Sequence, residues 1–207
     1  MQEPKPYALS DITIKNLHRK AIKRFELAKR RLLIQGFDEL NVASRLDALY
    51  KDLEQDNREA FETLYKARFK ELEEYLKRRD TVDVMVEIEL LLKEPNDVTH
   101  YAYDTEVLRK RDRAKEAIDA VPTKQQKQLE LDKALRLWSQ QTDQYCDLVS
   151  DAATVKAFQK AGVSKVIWNT QKDGKVCDTC HDREGQVYYV RNLPTKHPRC
   201  RCWITPL

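Results

Sequence analysis

Four of the five cysteines in this chain lie in one C-terminal stretch, WNTQKDGKVCDTCHDREGQVYYVRNLPTKHPRCRCW, from Trp168 to Trp203. Cys177 and Cys180 form a Cys-x-x-Cys element, and His197, Cys200 and Cys202 follow about one hairpin's length later. Two such elements with a short spacer are how a small, loop-rich segment holds one tetrahedral zinc. Zinc needs four ligands, and the candidates number five: Cys177, Cys180, His197, Cys200 and Cys202. Cys177, Cys180 and Cys200 come first. The fourth is His197 or Cys202, and spacing does not choose between them. His181 is a weaker candidate, because its side chain is expected to point away from the site beside Cys180.

Disulfides and reduced thiols are the competing readings of these cysteines. The N-terminus, MQEPKPYALS, has no apolar core of the signal-peptide kind. A reducing compartment is therefore expected, where cysteines stay thiols or bind metal. A structural role for the metal is expected over a catalytic one. Hydrolytic zinc keeps an open position and a nearby base, whereas a thiolate-rich set quenches Lewis acidity and closes the shell. Glu184 is a candidate base with nothing in the sequence to fix it there, and the H-x-E…P-C-x-x-C arrangement of zinc deaminases is absent.

Upstream the pattern is helical. Only four glycines occur in 207 residues, which favours long helices over a sandwich or barrel. Ser10 is placed to cap a helix carrying Ile14, Leu17, Ala21, Phe25, Ala28 and Leu32, with Gly36 as its stop. From about Asn41 to Asp80 one very long helix is expected, with a seam of Leu46, Leu49, Leu53, Ala60, Leu64, Ala67 and Leu72, interrupted at Asp56–Asn57. VDVMVEIELLLKE reads as a helix closed by Pro95-Asn96, and MVEIELLL is too short and too acidic to cross a membrane. Asp104 is the expected cap of a helix bearing Leu108, Arg111, Ala114, Ile118 and Val121. Thr123-x-x-Gln126 is a capping-box start for another, with Leu129, Leu135, Trp138, Tyr145 and Leu148 along it to about Val149. Cys146 on that helix reads as a small buried hydrophobe. Asp151 is expected to cap a last short helix ended by Gly162.

From Val163 the pattern changes to strand and turn. Val166 to Trp168 and Gln186 to Val190 are the expected strands, with Asp173-Gly174 a tight-turn dipeptide. The fold expected is thus mainly α: long helices followed by a small C-terminal β-hairpin module stapled by a Cys/His metal site. Three regions follow: an N-terminal long-helix region over 1–97, a central helical region over 98–162 and the hairpin module over 163–207.

Basic residues cluster in three places. Between Lys15 and Arg31 eight lysines and arginines face one acid, Glu26. Arg109, Lys110, Arg111, Arg113 and Lys115 form a second group, offset by Asp112 and Glu116. Arg191, Lys196, Arg199 and Arg201 lie near Tyr188, Tyr189 and Trp203, a pairing that can bind single strands or simply pack the hairpin. A net charge of +4 is too mild to imply nucleic-acid binding by itself.

The run AFQKAGVSKVIWNTQKDGKVCDTCHDREGQVYYV, followed by HPRCRC, resembles the phage minor head protein family, also called Mu F-like or phage head morphogenesis. The family pattern is an aliphatic and tryptophan strand, D-x-x-V-C-x-x-C, a glycine-containing hairpin and a terminal H-P-x-C-R-C. Here these are Ile167 and Trp168, Asp173 to Cys180, Gly185, and His197 to Cys202. VTHYAYDTEVLRKRDRAKEAI and LRLWSQQTDQYC also resemble helical parts of the siphophage branch, so the likeness covers about Val98 to Cys202. It implies a structural protein that enters the head in few copies, with the portal and the major capsid protein as partners. It further implies a role in head assembly and DNA delivery, with contact to packaged DNA. The place implied is the virion head or neck, and the host cytoplasm before assembly. The chain ends five residues after Cys202, so the enzyme domain that some relatives carry there is not expected. The alternative from the basic clusters alone is a small zinc-ribbon adaptor or regulator that binds nucleic acid.

Overall fold

The first backbone hydrogen bond of the chain's first helix runs from the Asp11 amide to the Tyr7 carbonyl, at 2.9 Å. Residues 6–77, 95–171, 176–194, 196, 200 and 202–207 are described by the computed structural model. Among these residues four long helices come first: α1 (Ala8–Gln35), α2 (Glu39–Lys77), α3 (Pro95–Asp119) and α4 (Lys124–Lys160). The strands β1 (Lys165–Asn169), β2 (Val187–Tyr189) and β3 (Trp203–Pro206) follow, with the short α5 (Asp178–His181) between β1 and β2. The chain is mainly α with a small C-terminal sheet, as its sequence pattern predicts.

Each helix departs from expectation in one instructive detail. In α1, Ser10 is not the cap. It lies inside the helix, buried, with its hydroxyl donating to the Cys146 carbonyl at 3.4 Å. Leu17, Ala21, Phe25, Ala28 and Leu32 are buried on one face, and Gly36 ends the helix at φ 104°, a conformation side chains with a Cβ rarely adopt. The 39 residues of α2 make a rod about 58 Å long. It runs unbroken through Asp56–Asn57, where a turn was expected. Its seam is Leu46, Leu49, Tyr50, Leu53, Asp56, Asn57, Leu64, Tyr65, Arg68, Phe69, Leu72 and Leu76, and Ala67 is exposed. Spacings of three and four carry this seam straight through its polar members.

The helix α3 starts at Pro95, so Asp104 lies inside it rather than at its cap. Proline suits a first helical position, because it lacks the amide that would have no partner there. Val107, Ala114 and Ile118 are buried, while Leu108 points out. At the start of α4 the Thr123 hydroxyl accepts the Gln126 amide, and the Gln126 side chain accepts the Thr123 amide, both at 3.2 Å. This is the reciprocal capping box. The helix then continues past Val149 to Lys160 without a break, so Asp151 caps nothing. Leu131, Ala134, Trp138, Tyr145, Cys146 and Val149 are buried, whereas Leu129 and Leu148 are exposed. At its end the Val163 amide reaches the Phe158 carbonyl and the Gly162 amide reaches Gln159, with Gly162 at φ 73°. That pair of bonds is the Schellman stop. VDVMVEIELLLKE and Asp173-Gly174 lie outside the described residues.

The chain divides into two compact units, one of Ile12–Glu62 with Ile88–Asp143, the other of Met1–Asp11, Thr63–Glu87 and Gln144–Leu207. The first is helical. Phe25, Tyr50 and Trp138 form a chain of edge-on rings, with centroids 6.4 and 5.5 Å apart. Asp56 accepts from Lys20 at 3.0 Å and from Arg24 at 2.5 Å, and Asn57 donates to Thr142 at 3.1 Å. These bonds are why α2 carries polar residues in its seam without breaking.

The second unit holds an antiparallel sheet of order β2-β1-β3. The expected hairpin therefore has a third strand, with Trp203 opposite Asn169 and Ile204 opposite Trp168. Alternation puts Val166, Trp168, Tyr188 and Ile204 on one face, and the Tyr188 ring meets Trp168 edge-on at 6.0 Å.

Candidate metal centre

Two short backbone devices aim the cysteines. Cys177 stands just before α5 in extended conformation, and its carbonyl accepts the amides of Cys180 at 3.0 Å and His181 at 2.9 Å. This single turn brings the Cys177 and Cys180 side chains near each other while His181 faces solvent. Opposite them, Cys200 and Cys202 sit where the chain enters β3, and the β1–β3 register fixes that entry.

The sulfurs of Cys180, Cys200 and Cys202 converge. All three residues are buried, and their Sγ atoms lie within 4.8 Å of one another. Cys180 and Cys200 are 3.6 Å apart. Four sulfurs around a tetrahedral zinc, each at about 2.3 Å from the metal, stand about 3.8 Å apart. The spacing thus fits a shared metal, and none of the five cysteines, all of them among the described residues, is in a disulfide. Cys177 is exposed and close enough to hydrogen-bond Cys180. His197 lies outside the described residues. Of the five candidates, three are brought together, with Cys177 near them.

By themselves the surroundings of this group favour the neutral thiol over the thiolate. Burial first, then hydrogen bonding with Cys202, Cys177 and Cys200, pushes the Cys180 thiol well above its ordinary range. Cys202 is pushed up to about 11, chiefly by burial and then by Cys200. A dication reverses this balance, because a coordinating thiol loses its proton outright. Trp168 supplies a further fit. Its Nε1–H is buried and has no hydrogen-bond partner among the described residues. It falls short of full hydrogen-bond geometry with Cys202, yet lies close enough to favour that sulfur's ionised form. A thiolate at Cys202 is the acceptor this N–H lacks.

Around the sulfurs lies a shell that spacing did not reveal. The Cys202 carbonyl accepts from the Tyr7 hydroxyl at 2.6 Å and also from the Lys196 ammonium. Lys196 pairs with Asp151 on α4 at 2.7 Å, and its ammonium lies 5.8 Å from the centre of the Trp168 ring. Burial, then the Asp151 carboxylate, holds the Tyr7 phenol far above its ordinary value, so it remains a donor. Asp151 is itself raised by burial, against the pull of Lys196. Lys196 is therefore a packing cation, not part of a solvent-facing basic patch. The one sequence clue was a lysine two residues before a proline in the cysteine loop, which is no signal at all.

Glu184, the candidate base, is committed elsewhere. Its carboxylate accepts from the Thr170 amide at 2.5 Å and the Thr170 hydroxyl at 2.6 Å. The first basic cluster is partly absorbed: Lys20 and Arg24 meet Asp56, and Lys29 meets Asp132 at 2.9 Å. Lys15, Arg19, Lys23, Arg30 and Arg31 remain exposed along α1. None of the known family models, curated proteins or solved structures compared with the chain matches it.

Proposed function

We propose that this chain is a minor structural protein of a bacteriophage head, docked at the portal during head assembly, with a C-terminal module stapled by one structural zinc. Cys177, Cys180, Cys200 and Cys202 are the ligands in this reading, with His197 as the alternative fourth. The observation that carries it is the convergence of Cys180 with Cys200 and Cys202. These come from the two halves of the motif on which the family resemblance rests. A zinc there holds together a three-stranded sheet too small to be stable on its own.

Other features agree with a structural role. Four thiolates would close the metal's coordination shell, and the Glu184 carboxylate, the candidate base, already serves Thr170. The long helices suit docking among other subunits. The exposed lysines and arginines of α1 suit acidic surfaces of the portal, the major capsid protein or packaged DNA. Among the described residues, no helix is long and apolar enough to cross a membrane.

A zinc-ribbon nucleic-acid adaptor is the second reading, and one observation favours it. Tyr189 is half exposed and flanked by Lys165 at 5.4 Å and Arg191 at 5.6 Å, an aromatic face with two cations beside it. Quantitative mass spectrometry of particles from the source phage or induced prophage separates the two. A few copies per particle, far below the major capsid protein, is the expected result. Presence in procapsids and loss from virions makes it an assembly factor. Absence from both, with the chain abundant in the cytosol, overturns the head reading in favour of the adaptor.

A further inference from the structure

The segment that opens the chain's first helix and the loop that carries the last cysteines meet at one buried node. Tyr7 Oη donates to the Cys202 carbonyl at 2.6 Å, its nearer acceptor, and lies 3.3 Å from Asp151. Lys196 donates to that same carbonyl, to Asp151 and, at 3.1 Å, to Tyr7 Oη. Two further bonds pin the flanks of this segment to α4: Ser10 Oγ to the Cys146 carbonyl at 3.4 Å and Ser150 Oγ to the Pro6 carbonyl at 3.5 Å. Tyr7 itself is 4% exposed.

We infer that metal held by the cysteine cluster and the docking of the N-terminal segment are linked, with Lys196 and the Cys202 carbonyl as the points of contact. The inference rests on the metal reading above. Lys196 and Cys200 lie in the connection between Asn192 and β3, where the described residues form neither helix nor strand. Such a path is positioned by what its side chains hold. A metal bound through Cys200 and Cys202 fixes both ends of the 200–202 segment, and with them the carbonyl that Tyr7 and Lys196 seek. Removing it frees the path, and three partners then lose their geometry together. Tyr7 loses its nearer acceptor, Asp151 loses its adjacent cation, and Lys196 would carry a buried charge without a counter-ion. A buried network of this kind is favourable only when every member is satisfied. The start of α1 therefore belongs to the same cooperative unit as the metal loop, despite its distance in sequence.

The test is residue-resolved amide exchange on the full chain, zinc-loaded and chelated, with zinc content measured on the same samples. The reporter is the Asp11 amide, whose bond to the Tyr7 carbonyl is the first of the helix. Chelation is expected to speed its exchange about tenfold or more, as a local opening becomes cheaper. Amides of Leu131 to Trp138 serve as the internal reference. Lys196→Met and the milder Tyr7→Phe, both zinc-loaded, should show fast Asp11 exchange already and a much smaller response to chelator. If the chain holds one zinc and Asp11 exchanges equally in both states, the link is overturned and the metal reading stands. A folded chain that takes up no zinc overturns both.

Discussion

The helical unit and the C-terminal sheet each bury one large indole, and they do so by different means. Trp138 is 2% exposed, packed edge-on against Tyr50 in a stack that α1, α2 and α4 build from apolar seams. Trp168 is 1% exposed, yet it sits on a strand of five residues, with Lys196 on one ring contact and Arg183 at 5.4 Å on another. One indole is covered by hydrophobic neighbours along long helices. The other is covered by cations, a tyrosine and a cysteine loop that needs its own restraint. Two aspartates repeat the contrast. Asp56 loses solvation, but hydrogen bonds from Arg24 and Lys20 outweigh that loss and hold its carboxyl below the ordinary range. Asp151 pairs with Lys196 and feels Arg68 as well, yet burial wins, so its carboxyl is raised. Area supports the first region, and a few specific bonds support the second.

The largest effect should come from removing a converging sulfur. Cys180→Ala is expected to abolish zinc uptake and strip exchange protection from β1, β2 and β3, while the buried helical amides around Leu131 to Trp138 stay protected. Structural zinc in small modules contributes on the order of 10–16 kcal/mol, more than a sheet of this size holds otherwise. Strands that stay protected without metal would break the contrast. Next, Trp138→Ala should cost about 3–5 kcal/mol in denaturant unfolding, the range for a large ring removed from a packed core. A cost below about 1 kcal/mol would mean the helical unit does not depend on that stack. The smallest effect is acid sensitivity. Asp56 titrates below its unfolded value of about 3.9, so its contribution is complete above that pH and is lost as pH falls through the lower folded value. Asp56→Asn should flatten stability against pH in that acid window, and an unchanged slope would remove Asp56 from the account.

Much of this was legible from spacing. Apolar residues three and four apart marked the four long helices among the described residues, and Thr123 with Gln126 announced a helix start that the backbone realises. Cys177-x-x-Cys180 and the terminal pair marked a site in which three sulfurs meet. What escaped has a common cause: partners distant in sequence. Asp56–Asn57 read as a break because polar pairs usually are one, and Lys20, Arg24 and Thr142 satisfy them from other helices. Asp151 looked like a cap because its true partner is Lys196, on the far side of the sheet's sequence. Ser10 likewise bonds a carbonyl on α4 instead of its own helix. Strand β3 gave no alternating pattern, being four residues that end in proline, and only pairing with β1 defines it.

That last strand carries a consequence for how copies of this chain meet one another. With β1 in the centre, β2 and β3 are the outer strands of the sheet, the places where edge pairing with another copy starts. Pro206 removes an amide from the outer rim of β3, and β2 stops after three residues where the chain curls into a 3-10 turn at Val190–Asn192. Lys165 and Arg191 bring like charge beside it. Short, interrupted rims of this kind resist fibre growth, so crowding such a protein does not invite it to polymerise edge to edge.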